Sequence, residues 1–201
     1  MKKETCKHNL RRVKKEIIPG YFTEVEICDE CGLETVNPRE AEKLLSMRDS
    51  EGMYLNPEHT ILLLLGVDPA VPIKETLFMK EAFLLEKEAA GEIGLNVDSL
   101  NFYPDKYGPF SRLLEDNLQE MDGNLIKIIR YEGGKKHIKL TEKGEKVAKS
   151  IIEKIPKDKI DKLHYKRVGW DQYGNRGILK RVYRDYPLYA SKSKIKDNVL
   201  K

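Results

Sequence analysis

The sequence predicts an α+β protein, mostly helical, in three parts: a small β-rich N-terminal segment, a helical domain with one β-hairpin, and a basic helical C-terminal extension. Three observations predict it. All three cysteines fall in the first 31 residues, beside one of only four histidines. Apolar residues recur at helical spacing from Thr60 onward. Two short extended runs, 125–131 and 137–140, flank Glu132-Gly133-Gly134-Lys135, which is a hairpin signature.

The N-terminal segment reads as a zinc ribbon over 1–36. Its pattern is Cys6-Lys7-His8, nineteen residues, then Cys28-Asp29-Glu30-Cys31-Gly32. Zinc favours four thiolate or imidazole ligands in a tetrahedron, and three Cys with one His is a common structural set. In Cys-x-x-Cys-Gly two sulfurs converge on one ion, and the glycine lets the chain reverse without a Cβ clash. Residues 11–18 and 21–27 read as strands, with Pro19-Gly20 as the turn. A redox pair would need a βαβ context that this segment lacks, and three cysteines would leave one over in a disulfide framework. Cys6, His8, Cys28 and Cys31 are therefore expected to hold one structural Zn2+. Four protein ligands leave no open position for catalysis.

Residues 37–53 read as a helix and linker. Asn37-Pro38 opens a helix to about Met47, with proline in its first turn. Residues 54–156 then give helix, helix, helix, two-stranded wing, helix, which is the winged-helix order. Asn56-Pro57-Glu58 caps a helix through Gly66 whose Ile61 and four leucines are apolar all round, so it is buried. Val71 and Ile73 suit a short strand. Residues 75–90 form a second helix, with Glu86, Lys87 and Glu88 expected in water. Tyr107-Gly108-Pro109-Phe110 is a turn, and Ser111 caps a third helix to Met121 with Leu113, Leu114, Leu118 and Met121 facing inward. The hairpin follows, and Thr141-Glu142-Lys143-Gly144 opens a further helix with Val147, Ile151, Ile152 and Ile155 facing in. Residues 157–201 read as the C-terminal extension, with helices over 159–167 and 178–186 around Gly169, Gly174 and Gly177, and Trp170 packing between them.

Residues 62–148 resemble the Panacea domain of the SocA-like antitoxin family. The resemblance is carried by Lys80-Glu81-Ala82-Phe83-Leu84-Leu85, by Phe102-Tyr103-Pro104-Asp105-Lys106-Tyr107-Gly108-Pro109-Phe110-Ser111, and by Leu140-Thr141-Glu142-Lys143-Gly144. Where that family opens its helix with leucines, this chain has Ile73-Lys74-Glu75-Thr76-Leu77-Phe78-Met79. The resemblance implies a helical, winged-helix-like fold and a role in toxin neutralisation or regulation. The metal segment is similar to small zinc ribbons that precede DNA-binding domains in other antitoxins.

Charge points to a polyanion or a charge-complementary partner. The chain is +4 overall, but residues 1–18 carry seven Lys/Arg against two acids, and residues 154–201 carry fourteen against five. The centre is therefore acidic. No run of about 18 apolar residues exists to span a membrane, and the first residues lack a signal-peptide core, so a cytoplasmic protein is expected. Neither a phosphate loop, a Gly-x-Ser-x-Gly elbow nor a His-Glu-x-x-His is present, and no nucleophile sits with a base; a non-enzyme is expected.

Two functions compete. In the first, duplex DNA is bound, as in a transcriptional regulator. The candidates are Arg11, Arg12, Lys14 and Lys15 on the ribbon; Lys127, Arg130, Lys135, Lys136 and Lys139 on the wing; Lys180, Arg181 and Arg184 on the tail; and Arg112 on the third helix. That helix otherwise carries Glu115, Asp116, Glu120 and Asp122, so ribbon, wing and tail are expected to carry the contact. In the second, Tyr103, Tyr107 and Phe110 with the acidic third helix meet a basic protein such as a toxin. The C-terminal helices offer a homodimer surface.

Overall fold

The computed structural model describes residues 10–18, 21–28, 34–36, 54–69 and 72–201. The helix expected from Asn37, its linker, Val71 and three of the four expected zinc ligands, Cys6, His8 and Cys31, lie outside them. The chain is mixed α/β and mostly helical. It divides into two compact units, Met1–Glu51 and Gly52–Lys201.

The first unit is an antiparallel sheet of β1 (Leu10–Ile18), β2 (Tyr21–Cys28) and β3 (Glu34–Val36), in the order β1-β2-β3. Leu10 lies opposite Cys28, and Val25 lies opposite both Val13 and Val36. Val25 and Cys28 are buried. The third strand is not expected from the sequence pattern; its β-branched Thr35 and Val36 are the available signal.

The second unit begins with β4 (Tyr54–Leu55) and α1 (Pro57–Gly66). Asn56 caps α1 by accepting from the His59 N–H at 2.8 Å. Thr60 to Leu65 are all buried, as a helix without a polar face requires. β5 (Ile73–Lys74) leads into α2 (Glu75–Leu84), which runs through a π-helical turn at Leu85–Ala89 into α3 (Ala90–Ile93). β6 (Asn96–Val97) pairs with β4 in parallel. β7 (Tyr103–Asp105) and β8 (Gly108–Phe110) form a small hairpin before α4 (Arg112–Met121). β9 (Ile126–Arg130) and β10 (Lys136–Leu140) form the larger hairpin, and α5 (Glu142–Ile152) follows. β5, β10 and β9 make one sheet in that order, so a strand from before α2 closes the hairpin's open edge.

Two glycines are dictated by this packing. Thr141 caps α5 through its hydroxyl, 3.0 Å from the Gly144 N–H, and donates to the Asn124 carbonyl at 2.7 Å. That seats the helix end so tightly that a Cβ on Gly144 would fall 1.8 Å from the Leu125 carbonyl oxygen. Gly108, at φ +88°, has Tyr183 against it, and a Cβ there would lie 2.6 Å from the ring.

The segment read as a C-terminal extension belongs to the same core. α6 (Lys157–Asp185) breaks helical geometry at Gly174 and packs Leu163, Arg167, Trp170, Ile178, Val182 and Tyr183 inward. A 3-10 turn (Pro187–Ala190) and α7 (Lys196–Leu200) follow. Phe83 of α2 meets Phe102, Tyr186 and Tyr189 edge to face at 5.2, 5.0 and 4.7 Å. Basic composition marks this segment as peripheral, but most of its charges occupy the outer face, while Arg167 is buried with the apolar residues.

Candidate nucleic-acid interface

Strict alternation builds the basic face of the larger hairpin. Ile126, Ile128, Ile138 and Leu140 point inward and are buried. Lys127 and Lys139 point outward, directly opposite each other across the two strands. Both are exposed, and no ion pair holds either among the described residues. Like charges set opposite in a sheet are destabilising, so this pair is not there for stability. On β5, Lys74 lies opposite His137 and is exposed on the same face. Tyr131, half exposed, packs edge-on against His137 at 4.9 Å. Gly133 and Gly134 take positive φ in the turn, which Tyr131 N–H to Lys135 carbonyl closes at 2.8 Å, with Lys135 exposed. Lys74 escaped sequence reasoning because it lies some fifty residues before the hairpin and joins it only through strand pairing.

Other expected contacts are already engaged. Arg130 reaches Asp122 at 3.1 Å, and Asp122 also accepts from the Ile128 N–H at 2.8 Å. That backbone bond, with Arg130 second, holds the Asp122 carboxyl below its usual range. Lys136 reaches Glu75 at 3.3 Å. Arg112 sits between Glu115 at 3.4 Å and Asp116 at 3.0 Å on its own helix, so it does not stand as a free reader of bases. Arg181 is partly buried between Glu88 at 2.5 Å and Asp185 at 3.6 Å, while Arg184 pairs with Asp185 at 2.7 Å and stays exposed. Glu88 also accepts from the Tyr186 hydroxyl, and Glu86 accepts from the Leu100 N–H. These two carboxylates were expected in water; the π-helical turn rotates them inward. Lys180 is exposed with no ion pair among the described residues. On β1, Arg11 and Arg12 are exposed and Arg12 pairs with Glu26 opposite it at 3.1 Å, while Lys14 and Lys15 fall on the same strand. Exposed pairs contribute only about 0–1 kcal/mol each, so Arg12 and Arg184 are readily released to a phosphate.

The aromatic turn forms a different place. Tyr103 and Tyr107 are 42% and 59% exposed, and Phe110 packs edge-on to Tyr103 at 5.8 Å. A cleft of about 160 Å³ lies beside them, lined by Met79, Lys80, Asp105, Tyr107, Phe110 and Glu115 among others. Lys80 is buried and donates to the Pro109 carbonyl at 2.5 Å, so the Lys80-Glu81 and Tyr-Gly-Pro motifs are two halves of one contact. Burial lowers the Lys80 amine to about 8 against the opposing pull of Asp105. Glu81, fully buried, has Arg167 Nε 2.6 Å from one carboxyl oxygen, without hydrogen-bond alignment. Arg167 also donates to the Leu64 carbonyl at 2.7 Å and lies 3.5 Å from Asp171. Burial pushes the Glu81 carboxyl up to about 9, with Arg167 opposing. A protonated Glu81 leaves one guanidinium and one carboxylate, a neutral cluster.

Of the expected zinc ligands, Cys28 alone is described: a buried cysteine at the end of the β1–β2 hairpin, opposite Leu10. Cys6 and His8 precede Leu10 by four and two residues, and Cys31 follows Cys28 by three. No helix among the described residues is long and apolar enough to cross a membrane. No family model matches the chain, and no curated protein matches its sequence.

Proposed function

We propose that this chain is a non-enzymatic nucleic-acid-binding regulator. In this reading a winged-helix domain, related to the Panacea antitoxin domain, grips the phosphates of duplex DNA with its wing. A zinc ribbon held by Cys6, His8, Cys28 and Cys31 accompanies it. The observation that carries the reading is the outward Lys127–Lys139 pair, exposed, in no ion pair among the described residues and set opposite across the hairpin, with Lys74 on the same face. Support for the winged helix comes from the sheet order β5-β10-β9 and from a hairpin that directly follows α4. The acid-rich α4 keeps its arginine occupied, so the wing leads and that helix does not read bases.

The test is anisotropy of a labelled random duplex with the zinc-loaded protein at two salt concentrations. Lys74, Lys127, Lys135 and Lys139 neutralising four phosphates give a log–log salt slope of about −3.6, or roughly 100-fold weaker binding from about 50 to about 200 mM salt. Binding that is absent at the lower salt, or unchanged by Lys127→Glu with Lys139→Glu, overturns the reading.

A second reading is favoured by one observation. Tyr107 and Tyr103 remain exposed beside a cleft rimmed by Asp105 and Glu115, which suits a basic protein such as a toxin. Charge reversal at Glu115 and Asp116 leaves duplex affinity intact or raised under the first reading and abolishes partner binding under the second.

A further inference from the structure

The outer face of α6 carries features that neither folding nor the wing explains. Tyr165 is 82% exposed and Tyr173 52% exposed. They stand eight residues apart, so they share one helix face and are separated by about 12 Å along the axis. Midway between them is Gly169. A Cβ there would meet nothing within 4 Å, and its backbone is not in the left-handed region. Neither close packing nor an unusual dihedral calls for glycine, which weakens a helix interior. What Gly169 does is keep open a hollow of about 390 Å³, lined by Tyr165, Gly169, Trp170, Tyr173 and Arg181 among others.

The two cations that line the hollow are ion-paired, Lys166 with Glu92 and Arg181 with Glu88 and Asp185, and further cations lie along the same helix. From Tyr165 to Arg184 the only carboxylate is Asp171, and it faces the buried Arg167. Arg176, Lys180 and Arg184 are exposed past the break at Gly174. The Arg181 guanidinium lies 5.9 Å from the Tyr173 ring centre, anchored from below by Glu88. Two aromatic rings, a floor without a side chain and flanking cations are the parts of a stacking platform for unpaired bases. The length fits: two bases between two rings need three stacking intervals, about 10 Å at the 3.4 Å repeat of a strand. Paired bases present no free face to such rings.

We propose that this stripe of α6 is a second site, for single-stranded nucleic acid, in which two stacked bases lie between Tyr165 and Tyr173 over Gly169 and the adjoining phosphates meet Arg176 and Lys180. The proposal rests on the nucleic-acid reading above but uses a different surface from the wing.

The test uses the full chain and a fluorescein-labelled oligothymidylate, read by anisotropy. Tyr165→Ala and Tyr173→Ala each weaken binding about 5- to 100-fold, Tyr→Phe at either position retains it, and Gly169→Leu, which fills the hollow without changing charge, weakens it likewise. Both tyrosines are exposed, so thermal melts of the alanine variants match the parent. The double variant Lys127→Glu, Lys139→Glu keeps oligothymidylate binding within twofold. Duplex binding that is lost while this binding stays Tyr-dependent leaves the present proposal standing and removes the wing. Wild-type affinity in both tyrosine variants overturns it. Equal, Tyr-independent affinity for polyglutamate or anionic vesicles reduces the stripe to a general polyanion surface and overturns it too. A monomer–dimer shift in the tyrosine variants with unchanged oligothymidylate binding makes the stripe an interface between copies, which also overturns it.

Discussion

The substitution Glu81→Gln isolates the buried charge cluster. Glu81 is fully buried, Arg167 is 3% exposed, and both Glu81 and Asp171 share that one guanidinium. Burial raises the Glu81 carboxyl from 4.5 to about 9. Between those values the folded state keeps a proton that the unfolded chain has released, so stability is fully present below pH 4.5 and declines as pH rises toward 9. The slope for one proton is about 1.4 kcal/mol per pH unit. From pH 6 to 7.5, below the Lys80 value of about 8, wild type therefore loses roughly 2 kcal/mol through this group. The substituted glutamine is nearly isosteric with the protonated acid and has no proton to lose. Urea unfolding read by the buried Trp170, a reporter of the second unit, measures the difference at each pH. The variant should gain on wild type by roughly 2 kcal/mol across that window, while other titrations cancel. Parallel stability curves would refute the reasoning and make Glu81 an ionised partner of Arg167. The variant would then be weaker by a constant amount, because it removes one of the two carboxylates that share the buried guanidinium.

The same assay separates two glycines. Gly144→Ala drives a Cβ into the Leu125 carbonyl and should cost about 1–3 kcal/mol or more, whereas Gly91→Ala meets nothing within 4 Å and should be neutral or slightly stabilising. Lys127→Glu places opposite charges across β9 and β10; it should raise stability by about 0.2–1 kcal/mol while lowering duplex affinity, and equal affinity would remove the wing from the interface. Zinc removal by a chelator should expose the Cys28 thiol to labelling and collapse amide protection over residues 10–36, while the Trp170 transition stays where it was. Slow Cys28 labelling both with and without chelator would argue against the ion.

Legibility in the sequence followed locality. The α1 cap at Asn56, the α4 cap at Ser111 and the α5 cap at Thr141 were readable because each depends on residues within one turn. The hairpin was readable from its alternation and its two glycines. The inward turn of Glu86 and Glu88 was not, since a π-helical turn shifts the face and leaves little trace in the pattern. Lysines and arginines could be counted from sequence, but which were free could not. Lys136 is held by Glu75 from 61 residues away and Arg181 by Glu88 from 93.

The sequence alone determined the order of helices around the β9–β10 hairpin and the alternation that sets Lys127 and Lys139 outward, because periodicity acts within a few residues. Only the tertiary structure decided that 157–201 completes the core, that Lys74 joins the outward face of the hairpin sheet, and that Lys80 meets Pro109 while Glu81 meets Arg167. Those outcomes depend on which distant surfaces exclude water together. Burial and pairing across 29 to 103 residues of chain set the charges, and local composition carries no record of that.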